Sequence, residues 1–243
     1  MNTFKYINGS LHCEGVDLSL LGERYATPSY VYSKKTIDEN AKAYVNSFTN
    51  SRNLACYAVK SLSNLSILKI IKDAGCGFDI VSGGELHRVL SIGAEPKKII
   101  FSGVGKENSE IEIALKNNIL QFNIESEEEL DDIFKVASML KLNPNICLRV
   151  KPNIAPNTHK KISTGDKDTK FGIDFKSVNS IYKKLHELNY ITPVEGVQFP
   201  TPTAGNLPIQ ERPLLSFFNF DRLNYNNDPQ INGDGFFDFV PGI

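Results

Sequence analysis

Short apolar runs alternate with amphipathic stretches between residues 54 and 151. The apolar runs are typical of buried strands, and the stretches between them repeat their apolar residues at helical spacing. The predicted strands are LACYAVK, FDIVS, KIIFSG, LQFNIES and NICLRVK, and the predicted helices between them are NLSILKIIKDAG, GELHRVLSIG, ENSEIEIALKNN and EEELDDIFKVASMLK. Regular alternation of strand and helix predicts a parallel sheet with helices packed against it.

Two further strands are predicted outside this region. They are YVYS at 30–33 and VEGVQF at 194–199, and the second follows the helix-like segment KSVNSIYKKLHELN. No GxGxxG follows the first strand, which disfavours an open dinucleotide-binding sheet. Polar residues instead follow the carboxyl ends of the strands, where barrel enzymes carry their active sites; they are Lys60, Ser82, Ser102 with Gly103, Glu125, and Arg149 with Lys151. We therefore predict an α/β fold, a TIM-type (β/α)8 barrel of which about six to seven βα units are present.

The pattern stops after residue 199, where the chain becomes rich in Pro, Asn, Gly and Phe and shows neither alternation nor helical spacing. The predicted organisation is an N-terminal extension over 1–27, an incomplete barrel over 28–199 and an irregular tail of unrelated origin over 200–243. An incomplete barrel leaves an unpaired edge strand and uncovered apolar surface, and the aromatic tail is a candidate to cover part of it.

Composition narrows the classes of protein further. The 243 residues are 41% hydrophobic and 23% charged, which suits one barrel or two ordinary domains. The net charge of -1 contains no long block of one sign, so neither nucleic acid nor a membrane surface is an expected partner. The four cysteines form no CxxC pair and no zinc spacing with the four histidines, so we expect no metal. Without a leader-like N-terminus or a long apolar run, a cytoplasmic enzyme of small molecules is expected.

Lys60 ends the first strand of the repeating region, and two interpretations of it are open. In the first interpretation, the aliphatic stem of Lys60 packs at the end of the barrel while its ammonium group reaches water. Alternatively, its amine would attack an aldehyde and form a Schiff base. The second interpretation needs partners, and the neighbouring strand ends offer Asp79, Glu85 and Arg149. Glu85 has an alternative role as an acid at the start of a helix, and Arg149 has one as the partner of a barrel acid.

Six motifs together suggest a family. In order along the chain they are CYAVKS, GCGFDIVSGGEL, IIFSGVGK, NIES, LRVKPN and THKKISTGDKDTKFGI. Over residues 5–197 the chain resembles the diaminopimelate decarboxylases, which are fold-type III pyridoxal-phosphate enzymes with an alanine racemase-like barrel. The last motif is similar to a segment that separates these enzymes from the ornithine and arginine decarboxylases.

The resemblance implies a set of roles. Lys60 would bind pyridoxal phosphate as a Schiff base, Asp79 and Glu85 would lie on the cofactor side of the barrel, and Arg149 would act in the catalytic network. The reaction would be decarboxylation of meso-diaminopimelate to L-lysine, in a homodimer. The predicted substrate loop contains His159, Ser163, Thr164 and Gly165.

The resemblance stops after Gly196. The family's Cys-His-Ile-Gly-Ser motif, its Gly-Gly-Gly phosphate loop, its Glu-x-Gly-Arg segment and its Cys-Glu-Ser motif do not follow in this sequence, so we expect a truncated chain of impaired activity. The tail faintly resembles large cell-surface gliding-motility proteins. Two alternatives remain open: an inactive barrel fragment fused to a surface-protein segment, or another fold-type III enzyme or pyridoxal-phosphate-binding protein.

Overall fold

The computed structural model describes residues 3–47, 54–151 and 171–187, and the backbone of two short strands at 197–198 and 215–218. The strands are β1 Phe4–Ile7, β2 Ser10–Cys13, β3 Val16–Asp17, β4 Leu54–Ala58, β5 Gly77–Ile80, β6 Ile99–Phe101, β7 Gln121–Ile124, β8 Ile146–Lys151, β9 Ile173–Asp174, β10 Val197–Gln198 and β11 Leu215–Phe218. The helices are α1 Leu18–Tyr25, α2 Lys34–Asn46, α3 Leu65–Asp73, α4 Gly83–Ser91, α5 Asn108–Lys116, α6 Glu127–Leu140 and α7 Val178–Glu187.

The main sheet has the strand order β10-β8-β7-β6-β5-β4-β11. Neighbours from β4 to β8 pair in parallel, β10 pairs in parallel with β8, and β9 also pairs with β8. Helices α3 to α6 connect the parallel strands one after another. The predicted parallel βα arrangement, an incomplete α/β barrel, is confirmed.

Strict alternation along the strands gives the sheet two different faces. One face packs against the helices, and its largest side chains, each at most 2% exposed, are Tyr57, Phe78, Phe101 and Phe122. The opposite, inner face begins with a small apolar cluster of Cys56 and Ile100 with Leu54 and Leu120. Because side chains alternate across a strand, the polar residues between the helix-facing ones are directed to this inner face.

Helices α4 and α6 begin with the same capping arrangement. The Ser82 hydroxyl accepts the Glu85 N–H, and the Ser126 hydroxyl accepts the Glu129 N–H, each at 3.2 Å. Each glutamate side chain in turn accepts a backbone N–H from the residue before the serine, at Val81 and at Glu125. The Ser-x-x-Glu sequence thus satisfies amides that a helix start leaves unpaired, and it fixes where the chain leaves the strand.

Three parts of the sequence behave differently from the prediction. The predicted strand at 30–33 is absent: Tyr30 is 92% exposed, and Ser33 instead caps α2 by accepting the Thr36 N–H. The N-terminal extension contains the antiparallel sheet β1–β3 and helix α1, which were not predicted. The tail, predicted to be irregular, contains β11, which pairs antiparallel with β4.

The first two differences have one physical reason. A strand is recognisable in sequence when one of its faces is buried, and β1 and β2 are mostly half-buried or exposed on both faces. Tyr30 and Tyr32 alternate with other residues as strand residues do, but they stack on each other at 6.5 Å between ring centroids.

Among the described residues, no helix is both long and apolar enough to span a membrane.

Candidate functional site

The mouth of the barrel is the edge at which the parallel strands end, and its residues follow directly after those strands. They are residues 59–61, 81–85, 102–106, 125–129 and 149–151. Lys60 lies there in a short 3-10 turn after β4 rather than in the strand. Val59 beside it is fully buried, and the Ser61 hydroxyl donates to the Ala58 carbonyl at 2.6 Å. The buried neighbour anchors the turn while the Lys60 side chain is exposed.

Asp79 occupies the inner face of β5, as its alternation with Phe78 and Ile80 predicted. It is 6% exposed, and its Oδ1 accepts a hydrogen bond of 2.6 Å from the Ser102 hydroxyl. Its register partner on β4 is Ala58, two residues before Lys60. The pairing of β4 with β5 therefore places a buried acid next to the strand that ends at the exposed lysine.

Glu85 lies in the first turn of α4, where its Oε2 accepts the Val81 N–H at 2.8 Å. Burial raises the pKa of the Glu85 carboxyl, the Val81 N–H lowers it, the charge of Asp79 raises it and the charge of Lys60 lowers it. Asp79 and Lys60 are therefore each close enough to Glu85 to act on its carboxyl electrostatically. The capping contact shows that Glu85 has a structural role, and its predicted cofactor role stays a prediction.

Arg149 and Glu125 form an ion pair on the inner face of β8 and at the end of β7. Arg149 Nη1 donates to Glu125 Oε1 at 2.6 Å, and the two side chains are 14% and 2% exposed. The Glu125 carboxylate also accepts the Gly103 N–H at 3.2 Å and the Gly172 N–H at 2.9 Å. The guanidinium lies over the Phe171 ring, 5.1 Å from its centroid. Of the two interpretations of Arg149, pairing with a barrel acid is the one that the contacts display.

One donor of this pair has no partner in the protein. Arg149 Nε is buried and makes no hydrogen bond within the part of the chain that the structure describes. An orphaned charged donor at the end of a barrel strand is an arrangement that an acceptor on a ligand would satisfy. The guanidinium is thus fixed by Glu125 on one side and has donor capacity left on another.

A second, largely buried ion pair joins the loop after β6 to the first turn of α6. The Lys106 side chain has no exposed surface, and its ammonium donates to the Gly103 carbonyl at 2.8 Å, to the Asn123 carbonyl at 2.9 Å and to Glu129. Burial raises the pKa of the Glu129 carboxyl, and the charge of Lys106 lowers it. Glu129 also accepts a hydrogen bond from the Glu125 N–H, so this ion pair helps to fix the backbone at Glu125.

Sequence reasoning named Ser102 and Glu125 only as polar residues at strand ends, and it left out Lys106 and Asn123. A signal for Asn123 and Glu125 was present. In β7 and directly after it, Gln121, Asn123 and Glu125 alternate with Phe122 and Ile124, and this alternation already predicts that the polar residues share the inner face. Lys106 carried no such signal, because it lies in a loop and its burial depends on groups from three separate segments.

The predicted substrate-loop residues lie outside the residues that the structure describes; they are His159, Ser163, Thr164 and Gly165. No group of three or more His, Cys, Asp or Glu side chains within the described ranges is arranged to hold a metal ion.

Comparison with known proteins shows which proteins this chain is similar to. The family model described as "Pyridoxal-dependent decarboxylase, pyridoxal binding domain" matches residues 34–199. A diaminopimelate decarboxylase from Pseudomonas aeruginosa is 43% identical over 191 residues, which are 79% of this chain and 46% of that protein.

Solved structures give the same picture. The crystal structure of diaminopimelate decarboxylase from M. jannaschii in complex with L-lysine has a TM-score of 0.73 at 35% identity, covering 82% of this chain and 47% of that one. The enzyme from Helicobacter pylori complexed with L-lysine has a TM-score of 0.70 at 39% identity, covering 75% and 46%. The chain spans about half the length of the curated relatives it matches.

Proposed function

Because the chain belongs to the pyridoxal-dependent decarboxylases through their pyridoxal binding domain, we propose that Lys60 holds pyridoxal phosphate and that the protein decarboxylates meso-diaminopimelate to L-lysine. The observation that carries the proposal is the exposed amine of Lys60 at the mouth of the barrel, within electrostatic reach of Glu85. The relatives covering this chain at 43% to 45% identity are named as diaminopimelate decarboxylases, which supports the choice of substrate.

The residues present fit the reactive end of this cofactor. Lys60 offers an exposed primary amine, which an aldehyde can reach, on a turn anchored by the buried Val59. Arg149 Nε is a buried donor without a partner among the described residues, and a bound anionic group would satisfy it. We assign no phosphate cradle within the described part of the chain.

When bound, pyridoxal phosphate supplies an aldehyde that takes up the substrate amine and a ring that accepts the electron pair left when carbon dioxide departs. The chain's own residues provide the setting for that chemistry. Lys60 Nζ would hold the aldehyde and would give way to a substrate amine. Asp79 lies on the inner face of β5, opposite the residue of β4 that is two positions before Lys60, and would supply an acidic side chain to that part of the site.

Arg149 and Glu125 act on the opposite side of the mouth in this proposal. Glu125 holds the guanidinium by the 2.6 Å contact and also binds two backbone amides, so the position of Arg149 is fixed before any ligand arrives. A pre-positioned guanidinium presents its remaining donor to an anionic ligand group without reorganisation. The homodimer that the resemblance implies belongs to the same proposal, with a small amino acid as the substrate.

The substrate is tested by comparing amino acids on the same preparation. The chain is loaded with pyridoxal phosphate and supplied in turn with meso-diaminopimelate, L-ornithine and L-arginine, each labelled in the carboxyl group, and released carbon dioxide is counted. We expect release from meso-diaminopimelate to exceed release from the other two, and to disappear in Lys60→Ala. Equal release from ornithine or arginine would contradict the proposed substrate, and release that persists in Lys60→Ala would contradict the role of Lys60.

A binding measurement accompanies this assay, because it does not depend on turnover. L-lysine, the product of the proposed reaction, is titrated against the loaded chain and followed by the absorbance of the cofactor. We expect a saturable change with L-lysine and a weaker one with L-ornithine, which is one methylene shorter. Indistinguishable titrations with the two amino acids would count against the proposed substrate.

A further inference from the structure

Four side chains form a hydrogen-bonded row inside the barrel, below the mouth. Gln121 Nε2 donates to Asn123 Oδ1 at 2.8 Å, Asn123 Nδ2 donates to Ser102 Oγ at 2.8 Å, and the Ser102 hydroxyl donates to Asp79 Oδ1 at 2.6 Å. None of the four residues is more than 6% exposed. Asp79 lies in β5, Ser102 directly follows β6, and Asn123 and Gln121 lie in β7, so the row crosses the inner face of three adjacent strands.

The donors in this row all run in one direction, toward Asp79. A hydroxyl has a single hydrogen to donate, and Ser102 uses it on Asp79 while it accepts from the Asn123 amide nitrogen. This direction requires an acceptor at Asp79 Oδ1, and a carboxylate oxygen is a stronger acceptor than the oxygen of a neutral carboxyl group. An ionised Asp79 would therefore orient the rest of the row more strongly than a neutral one.

The far end of the row does not set its direction. Gln121 Oε1 is buried and has no hydrogen-bond partner among the described residues. In a reversed row the Asn123 amide nitrogen would donate to that oxygen, but the Gln121 amide nitrogen would then lose the acceptor it has on Asn123. One end of the Gln121 amide is unpaired in either direction, so the two directions differ in what they offer Asp79 Oδ1.

We propose that Ser102, Asn123 and Gln121 are positioning residues that hold the Asp79 side chain as a carboxylate of fixed orientation on the inner face, beside the strand that ends at Lys60. The proposal rests on the proposed function for its consequence, because a fixed negative charge at Asp79 then faces the nitrogen of Lys60 and of an amine bound there. Asp79 and Lys60 both act on the Glu85 carboxyl, which shows that their charges reach the same point of the mouth.

A double-mutant cycle tests whether the row holds a charge. Ser102→Ala is compared in the native background and in Asp79→Asn, by urea unfolding of the full chain. We expect Ser102→Ala to raise the unfolding constant about tenfold when Asp79 is present, and only about threefold in Asp79→Asn, because a hydrogen bond to a neutral amide is weaker. Asn123→Leu serves as a second variant of the row and is expected to show the same coupling.

The matched control is Phe122→Leu, which changes a buried residue on the helix-facing side of β7, the strand that also carries Asn123. Its effect is expected to be the same in both backgrounds. Additive effects for both Ser102→Ala and Asn123→Leu would overturn the inference, whatever the cofactor does.

A second readout connects the row to Lys60 without using activity. The dissociation constant of pyridoxal phosphate is measured by absorbance for the native chain, Ser102→Ala, Asn123→Leu and Phe122→Leu. We expect about tenfold weaker binding in the two row variants and no change in the control. Unchanged affinity in the row variants would overturn the link to Lys60. A coupled cycle in a native chain that binds no pyridoxal phosphate would instead support the held carboxylate and contradict the proposed function.

Discussion

At the scale of single residues, several charged groups at the mouth have protein partners before any ligand arrives, although Arg149 Nε does not. Lys106 illustrates this, because its ammonium is enclosed and has three acceptors from separate segments. Glu125 is the counterpart, a carboxylate that accepts from Arg149 and from two backbone amides. Groups held in this way keep their orientation, which is what a preorganised active site requires.

Lys106→Met is predicted to destabilise the protein by about 3 kcal/mol, because it leaves the Glu129 carboxylate buried without its partner. Adding Glu129→Gln is predicted to recover part of the loss, since the uncompensated charge is then gone. Urea unfolding measures both. The control is Lys116→Met, which breaks a surface pair whose side chains are 57% and 45% exposed and is expected to cost about 0.5 kcal/mol or less. Equal costs for the two lysines would contradict this account.

Sequence reasoning worked at this scale where a residue's position on a strand decides its surroundings. The alternation of Asp79 with Phe78 and Ile80 predicted its inner-face position, and the strand end predicted that Lys60 lies at the mouth. It did not identify Glu125 as the partner of Arg149, because that pairing depends on the register between β7 and β8. Strand register depends on the assembled sheet and is not visible in either strand alone.

At the scale of elements, the βα units are recognisable because each carries its own start signal. The Ser-x-x-Glu caps of α4 and α6 are local in sequence, so they specify where these helices begin. The small N-terminal sheet has no comparable burial signal, and it is held instead by polar contacts around Asp17. Ser10 and Ser19 donate these hydrogen bonds, and both residues are close to Asp17 in the sequence.

Ser82→Ala and Ser126→Ala are each predicted to lower the free energy of unfolding by about 1 kcal/mol, because each removes the acceptor for an otherwise unpaired amide. Chemical denaturation of the two variants measures the loss. Ser138→Ala is the control, since Ser138 is an exposed residue within α6, and replacing it is expected to change stability by about 0.5 kcal/mol or less. A loss in the control as large as in the cap variants would contradict the role of the caps.

The N-terminal sheet is predicted to respond to acid through Asp17. Hydrogen bonds from Ser10 and then from Ser19 lower the pKa of the Asp17 carboxyl from 3.8 to about 2. Because the folded state favours the carboxylate, the stability that Asp17 contributes is complete above 3.8 and is lost as the pH falls through about 2. An NMR titration of the carboxyl measures this directly. Ser10→Ala removes the largest cause and is expected to move the titration back toward 3.8; titration of the native protein at 3.8 would contradict the assignment.

At the scale of the whole molecule, the unpaired edge that an incomplete barrel leaves at β4 is covered by the chain itself. Strand β11 pairs antiparallel with β4, from Leu215 opposite Tyr57 to Phe218 opposite Leu54. The edge strand of the sheet is then the four-residue β11, and a short edge strand presents few free backbone groups to a second molecule. The sequence predicted the exposed edge and an aromatic tail, but it could not predict this strand, because four residues without alternation carry no register signal.

Proline substitution in β11 is predicted to uncover this edge. Adjacent residues of a strand direct their N–H groups to opposite sides, so either Leu215→Pro or Ser216→Pro must remove a donor on the β4 side. We expect whichever of the two variants loses the donor on the β4 side to self-associate more strongly as its concentration rises, as measured by light scattering after size-exclusion chromatography. Asn226→Pro changes the same tail away from β11 and is the control. Identical behaviour of all three variants would contradict the pairing.

The central claim is that Lys60 is the residue through which the protein holds pyridoxal phosphate. The most direct test is to incubate the full chain with pyridoxal phosphate, reduce it with borohydride and locate the modified lysine by peptide mass spectrometry. The account predicts selective modification of Lys60, with no comparable product in Lys60→Ala. Modification scattered over other lysines, or absent altogether from Lys60, would contradict it.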